Sequence, residues 1–420
     1  MSTPSGRSRA TVSYRSLLAT PGAAIFFLAC FLGRIPLAMR ALGCVLLVQQ
    51  LTGSYGLAGV VGATQTLVAA FASPRLGRIA DRYGERTVLF WSMVVHAIGM
   101  LALIGAAYAE APAVVLLLAA AVLGGSAMPF GSLSRARWVA LLGKGRALER
   151  AYALEAMADE AGFIIGPLLV VPLSVSVNAA AGLLCSLALT VIGTLLLLRG
   201  TVPVAADEPP VRVAPADEKQ DGRTVIGIPG IQVLVASLLF LGIIFGSVEI
   251  VLVAFAEHLG TPNAASVLAA LFAAGSLVGA IAYGAVHWQS PVDRRLKLAI
   301  WWMALGTIPI LLANSIPAMG VAVFVSGLAI SPGMIAANTV VETLAPPRML
   351  TEAFSWIGSA LSTGAAFGSI VAGVVLDDIG VRGGQAIGLF GGGLAALVVI
   401  VWARHLRAAP RPGQIEPSTA

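Results

Sequence analysis

The chain has 420 residues, of which 58% are hydrophobic and only 11% are charged, and its mean hydropathy is +0.91. A soluble domain carries about 25% charged residues, so this composition excludes a soluble multidomain protein of this length. The formal net charge of +6 needs no nucleic acid to explain it, because basic residues flanking membrane spans account for the excess.

Twelve apolar segments are each about as long as a membrane-crossing helix, which takes about 20 residues. They predict an all-α membrane protein with twelve transmembrane helices. The predicted spans are residues 22–48, 56–74, 87–108, 112–134, 152–172, 178–198, 230–254, 264–286, 297–313, 317–340, 353–376 and 384–404.

The basic residues orient these spans, because Lys and Arg near span ends are retained on the cytoplasmic side. With both termini inside, all 26 Lys and Arg residues lie in cytoplasmic segments except Arg34, Arg40 and Arg382. Adding or removing one early span would move every later loop to the opposite side of the membrane, and the basic residues would then lie on both sides. Arginine also far outnumbers lysine. We therefore expect a multi-pass protein of the bacterial cytoplasmic (inner) membrane, with both termini cytoplasmic.

Two arginines lie inside the first span. A charge at the bilayer centre costs at least ~2.5–3.5 kcal/mol, so each of them needs a reason to be there. Arg40 follows Arg34 by about 9 Å along the helix axis and lies on a different face. We predict that both arginines belong to the central cavity or to a proton pathway.

The link between the second and third spans has the sequence LGRIADRYGERTVL, from Leu76 to Leu89. Its pattern consists of Gly77, Ile79, Ala80, Asp81, Arg82, Gly84, Arg86 and Leu89. This pattern resembles the loop between the second and third spans of the major facilitator superfamily of secondary transporters. Glu85 departs from it, because a basic residue is common at that position.

This resemblance implies two pseudo-symmetric six-helix bundles and a cytoplasmic gate at the link. The implied gate residues are Gly77, Asp81, Arg82, Gly84 and Arg86. We expect Asp81 to face the N-terminal end of a neighbouring helix, where the helix dipole favours an anion. The resemblance identifies the superfamily and says nothing of the substrate.

Three carboxylates lie in the cytoplasmic half of the fifth span. Glu155 and Asp159 share a helix face, and Glu160 lies about 100° round the axis. We predict that Arg34 pairs with Asp159 or Glu160. Such a pair would either change protonation during transport or hold the two spans together permanently, and the sequence leaves both open. Glu155 is expected at the membrane interface, bonded to Arg137 or Arg150.

The fifth span also contains Gly162 followed by Gly166 and Pro167. This resembles the G-x-x-x-G-P core of a motif in the fifth span of superfamily exporters, although the further glycines of that motif are absent here. Small residues let helices approach closely and proline bends them. The partial match favours export.

Exporters of this superfamily often carry an arginine well inside the fourth span. In this chain Arg135 and Arg137 lie at the cytoplasmic end of that predicted span. We therefore expect Arg34 to take the role of the arginine that these exporters carry in the fourth span.

A Pro-rich, charged segment divides the chain. We predict a first six-helix bundle over 1–198, a flexible cytoplasmic linker over 199–229, and a second bundle with a cytoplasmic tail over 230–420. The first and seventh spans open with a similar Pro-Gly pair, which fits two duplicated halves with the substrate site near the midplane where they meet.

The seventh span has one carboxyl well inside it, Glu249, at a depth that matches Arg40. No basic residue lies near it in the sequence. A carboxyl that gains and loses a proton within the membrane is what proton coupling requires. The alternatives are a carboxyl hydrogen-bonded within the bundle and one wetted near the outer surface. We predict a role in proton coupling.

No phosphate-binding loop, metal-ligand cluster or catalytic Ser/His/Asp pattern is visible, so no enzyme, cofactor or metal site is predicted. We predict a monomeric secondary active transporter of a small organic molecule that works by alternating access through proton-coupled efflux, as an antiporter. Its partners would be the substrate, protons and the lipid bilayer, with no nucleic acid. The alternatives are proton-coupled uptake of a small metabolite or anion, and a membrane sensor that does not transport.

Overall fold

The computed structural model describes residues 14–200, 224–261, 264–286 and 288–406. Within these ranges the chain is helical, with short 3-10 turns and no strand. The α-helices are α1 (Tyr14–Leu18), α2 (Ala23–Thr52), α3 (Tyr55–Tyr83), α4 (Glu85–Tyr108), α5 (Ala113–Gly125), α6 (Phe130–Leu142), α7 (Arg146–Ser176), α8 (Ala181–Arg199), α9 (Pro229–His258), α10 (Ala264–Ala285), α11 (Val292–Leu312), α12 (Ile316–Gly327), α13 (Ile330–Leu344), α14 (Leu350–Ile379) and α15 (Val381–Trp402).

Twelve segments of the described chain are long and apolar enough to cross a membrane, in agreement with the predicted spans. The fourth span is α5 followed by α6, and the tenth is α12 followed by α13. Both are therefore broken near their middle. Pro129 lies at the first break, where it has no amide hydrogen to continue the helix. The matching breaks reflect the pseudo-symmetry of the two six-helix bundles.

Several helices run further than the apolar segments that predict them. The helix α3 continues to Tyr83, α6 continues to Leu142, and α7 begins at Arg146. Charged side chains can extend a membrane helix because they reach water or find partners within the protein. As a result, several charged residues of the fourth and fifth spans lie deeper in the structure than the sequence predicts.

Large apolar side chains cover the outside of the bundle. Phe71, Phe163, Leu168, Phe367 and Phe390 each expose more than half of their surface. Such a belt is unfavourable in water but matches the hydrocarbon core of a bilayer.

The two bundles meet through α3 with α14 and through α7 with α10 and α13. At one end, Gly284 lies against the Tyr14 hydroxyl, and Gly230 lies against the backbone of His405. We call this end, where the described chain begins and finishes, the terminal face. Most of the predicted linker and the tail after 406 lie outside the described residues, and the predicted bundle boundaries remain predictions.

Candidate functional site

A buried ion pair joins α2 to α7. Arg34 donates to a carboxylate oxygen of Glu155, and its Nη1 lies 2.9 Å from Oδ1 of Asp159. The Glu155 side chain is completely buried and also accepts hydrogen bonds from Ser134 Oγ and Trp138 Nε1, both at 2.7 Å. Both carboxylate oxygens of Glu155 are therefore satisfied by neighbours within the protein.

The expected bond of Glu155 to Arg137 or Arg150 is wrong, and the Glu155 side chain is completely buried. Since α7 begins at Arg146, Glu155 lies about 14 Å along the helix from its start. Its principal partner is Arg34. The contact between Arg34 and Asp159 is present in the structure, as the sequence predicts.

Asp159 is shared between two arginines. In addition to Arg34, the Nη2 atom of Arg135 lies 2.5 Å from Oδ2 of Asp159. The Asp159 side chain remains 32% exposed, whereas the Arg34 side chain is 5% exposed. Asp159 is therefore the accessible carboxylate of this network.

Arg135 is the network residue that the sequence reasoning missed. The apolar segment stops just before Arg135, which predicts that the fourth span ends there, but α6 continues for two more turns. The fourth span thus supplies an arginine inside the bundle, close to Arg34. The sequence did contain one signal for this residue. The pair Arg135 and Arg137 follows Pro129, which breaks the fourth span.

Glu160 points to the other half of the molecule and does not bond to Arg34. Ser276 Oγ, from α10, donates to Glu160 at 2.5 Å, and Ser276 lies 2.9 Å from the hydroxyl of Ser331 on α13. Neighbouring residues on a helix are about 100° apart, so Asp159 can face the first half while Glu160 faces the second.

Glu249 is exposed, in contrast to the predicted burial, and it has no hydrogen bond or ion pair with a described residue. On the same helix Gly246 lies against Ala365 of α14, and the Phe245 ring packs against Phe272 of α10 with centroids 5.8 Å apart. Glu249 follows these residues by three and four positions, so it faces the gap between α14 and α10. Those two helices contact the first half, and Glu249 therefore faces the space between the halves.

Arg40 does not join the Arg34 network. Its side chain is buried, and no described residue forms a hydrogen bond or ion pair with it. It lies within electrostatic range of His96 on α4. The structure thus separates the two arginines of the first span into different environments.

The gate motif lies at the terminal face, against the start of α14. Oδ2 of Asp81 accepts from the backbone amide of Glu352 at 2.9 Å, and Oδ1 accepts from the amide of Thr351 at 3.3 Å. These are free amides of the first turn of α14, the contact that the resemblance implies for Asp81. An added Cβ on Gly77 would lie 2.8 Å from both the Thr351 carbonyl and Ser355 Oγ. Glycine therefore permits the close approach of α3 and α14.

Gly84 alone connects α3 to α4, with φ 90° and ψ 140°. This region of positive φ strains any residue with a side chain. Next to it, Glu85 forms a bidentate ion pair with Arg137 of α6 at 2.9 and 3.1 Å, and both side chains are buried. This pair explains why an acid occupies a position that is commonly basic. The gate arginines Arg82 and Arg86 are exposed on the terminal face.

Two further ion pairs join the halves at the terminal face. Glu149 of α7 forms a bidentate pair with Arg295 of α11 at 2.8 and 2.9 Å, and Arg295 also donates to the Tyr283 hydroxyl at 2.7 Å. Lys144 lies 3.2 Å from Glu342 of α13. Together with Asp81, these contacts close the terminal face.

The glycine motif of the fifth span faces α2. A Cβ on Gly166 would lie 2.7 Å from Ala38 Cβ and 3.3 Å from the Ile35 carbonyl, and one on Gly162 would lie 4.0 Å from Ile35 Cα. Pro167 follows inside α7. This close packing brings the α7 carboxylates within reach of Arg34. Among the described residues, no group of three or more His, Cys, Asp or Glu residues could hold a metal ion.

A transporter-family model matches nearly the whole chain. The model for the Major Facilitator Superfamily matches residues 19–297 and 235–419. The chain therefore belongs to the Major Facilitator Superfamily, whose members are membrane transporters and not enzymes. A search of curated protein sequences gave no match.

Solved structures share the fold at low sequence identity. A bacterial homologue of the iron transporter ferroportin, in an outward-facing state, has a TM-score of 0.73 at 13% identity and covers 91% of this chain and 99% of its own. The human organic anion transporter MFSD10 (TETRAN) has a TM-score of 0.67 at 17% identity, covering 90% and 98%. The proton:xylose symporter XylE has a TM-score of 0.64 at 14% identity, covering 90% and 95%.

Proposed function

We propose that this chain is a proton-coupled secondary transporter that exports a small organic molecule across the bacterial cytoplasmic membrane. It would work as a monomer by alternating access, with the terminal face in the cytoplasm. The observation that carries the proposal is Asp159, a reachable carboxylate held between two arginines at the centre of a transporter fold. A carboxyl within the membrane that can gain and lose a proton is what coupling to protons requires.

Asp159 is suited to exchange a proton for a substrate. In its ionised form it balances Arg34 and Arg135, and protonation would weaken both contacts. Glu155 would keep Arg34 in place throughout, because its own hydrogen bonds do not depend on Asp159. The coupling step is therefore assigned to Asp159 and the structural role to Glu155.

Glu249 is the second acid proposed for coupling. It faces the space between the halves and lies further from the terminal face than Asp159, by about 10 Å if both helices start at that face. A proton entering from the opposite face would meet Glu249 before Asp159. With the terminal face closed by Asp81, Glu149 and Lys144, that order fits proton entry from outside the cell.

Export is favoured by the partial glycine motif at Gly162, Gly166 and Pro167, which packs α7 against α2. Uptake of an anion is the second candidate. Protonation of Asp159 would leave Arg34 and Arg135 with excess positive charge, because Glu155 balances only one of them. A carboxylate or phosphate on the substrate could take the vacated place.

Proton flux in proteoliposomes tests the proposal. Purified protein would be reconstituted with a pH-sensitive dye inside and exposed to a panel of amphipathic cations, neutral compounds and organic anions. The proposal expects that a substrate gradient drives proton movement in the opposite direction. Co-movement of protons with an organic anion would instead establish the uptake alternative. Substrate movement without any proton flux would refute proton coupling.

A further inference from the structure

A groove at the terminal face opens between α7 and the end of α10. It holds about 410 Å³ of empty space and is lined by Arg146, Glu149, Arg150, Tyr283, Gly284, Val286 and Trp288. Its two walls come from different halves of the protein. None of these residues belongs to the gate motif or to the Arg34 network.

Among the described residues, the groove has more positive than negative charge. Glu149, its one acid, is already engaged by both terminal nitrogens of Arg295. Arg146 is exposed and Arg150 is half-buried, and neither forms an ion pair with a described residue. Two guanidinium groups are thus left facing the groove, and they sit in the first two turns of α7, where the helix dipole also favours an anion.

Tyr283 and Trp288 form an aromatic part of the groove lining. The Trp288 ring packs on Tyr283 with centroids 4.9 Å apart, and its Nε1 donates to the Tyr283 carbonyl at 3.0 Å. Trp288 is 37% exposed, and the neighbouring Val286 is 51% exposed. Tryptophan at a span end is typical of the membrane interface, with one side toward acyl chains and the other toward headgroups.

We propose that this groove binds the headgroup of an anionic phospholipid. Arg146 and Arg150 contact the phosphodiester, and the proximal acyl chain lies against Val286 and Trp288. Arginine is well suited to phosphate because its planar guanidinium donates two parallel hydrogen bonds. Basic pockets between membrane helices on the cytoplasmic side are a recognised setting for such headgroups. A bound lipid would contact α7 of the first half and α10 of the second.

Native mass spectrometry of the full-length protein in detergent tests the site. Short-chain phosphatidylglycerol would be titrated against phosphatidylcholine of the same chain length. The site predicts one phosphatidylglycerol bound at least fivefold more tightly than phosphatidylcholine. The double variant Arg146→Gln with Arg150→Gln should lose that preference, and Trp288→Ala should weaken the binding of both lipids.

The matched control is Arg199→Gln with Arg404→Gln, which removes the same charge from terminal-face arginines outside the groove. This control should keep the preference for phosphatidylglycerol. An equal preference in the groove variant and in the control, with both monodisperse and equally resistant to heat, would overturn the proposal. A third arm adds inorganic phosphate at millimolar concentration. Full displacement of phosphatidylglycerol by phosphate would also overturn it, because the groove would then be a site for free phosphate.

Discussion

The first span of each half packs against the fifth span of the same half, but through different contacts: α2 against α7 in the first half, and α9 against α14 in the second. In the first half, Arg34 joins α2 to α7 through two carboxylates. Aligning Pro21 with Pro229 places Gly242 at the position of Arg34, and there α9 packs directly on the backbone of α14 near Ala365. One half therefore uses contacts between charged side chains, and the other uses close contact with the backbone. This contrast is the reason that we propose the coupling step for the first half.

A second position shows the same contrast. The residue that corresponds to Arg40 is Val248, which lines a small cavity of about 180 Å³ in the second half. Ser247, Thr307 and Gln385 supply the polar groups of that cavity, and none of them carries a charge. Along these aligned helices the second half keeps one inward acid, Glu249, and it faces the first half.

The largest expected effect comes from breaking the charged attachment. Arg34→Leu leaves Glu155 buried without its cation, which costs about 3–5 kcal/mol in comparable buried pairs. We expect a large drop in the temperature at which the detergent-solubilised protein loses its monodisperse peak. Arg34→Leu with Glu155→Leu should recover much of the loss. Arg34→Leu with Asp159→Leu should recover less, because Glu155 stays charged. Simple addition of the single losses in both double variants would mean that the pairs are not coupled.

In the second half, the contact between α9 and α14 depends on close packing at a glycine. A bulkier residue should weaken that contact, and no change of charge should restore it. An added Cβ on Gly242 would lie 2.8 Å from the Ala365 amide nitrogen, so Gly242→Val forces α9 from α14 at a cost of about 1–3 kcal/mol. The same thermal assay measures it. Gly358→Val on α14 is the control, because no atom lies within 4 Å of its added Cβ. Equal effects of the two variants would contradict the assigned role of close packing.

The gate contact should respond to the loss of one charge. Asp81→Asn keeps the size of the side chain but removes the anion at the start of α14, a contact of about 0.3–2 kcal/mol. We expect slower transport at equal surface expression, because the closed terminal face is less stable. Asp378→Asn, an exposed acid at the other end of α14, should transport normally. A wild-type rate for Asp81→Asn would remove Asp81 from the gate.

The hydrogen bond between the halves should give the smallest effect. Ser276→Ala and Glu160→Gln each remove part of one contact, and their coupling energy in a double-mutant cycle should be about 0.5–1.5 kcal/mol. Thermal unfolding of the two single variants and the double variant provides the cycle. A coupling energy near zero would mean that this hydrogen bond does not help to hold the two halves together.

The sequence predicted the architecture better than the site. Long apolar segments and the positions of basic residues are local signals, so all twelve spans and the motif around Asp81 could be read directly. The Arg34–Asp159 contact was also accessible, because few charges inside the membrane are available as partners.

The errors have two physical causes. Apolar segments end earlier than the helices do, so Arg135 and Glu155 seemed to lie at the interface. The rotation of each helix about its axis is set by tertiary packing, which a single sequence does not record. For that reason neither the turn of Glu160 toward Ser276 nor the exposure of Glu249 was predictable.

Gradient-driven accumulation by Asp159→Asn tests the central claim, proton coupling at Asp159, most directly, and Glu249→Gln tests the second acid in the same assay. Each amide imitates the protonated acid permanently, so both variants should bind substrate and exchange it across the proteoliposome membrane without a gradient, yet fail to accumulate it when a proton gradient is imposed. Glu257→Gln, which changes an exposed acid on the same helix as Glu249, should behave as wild type. Accumulation against the substrate gradient by Asp159→Asn, with an unchanged dependence on pH, would contradict the account.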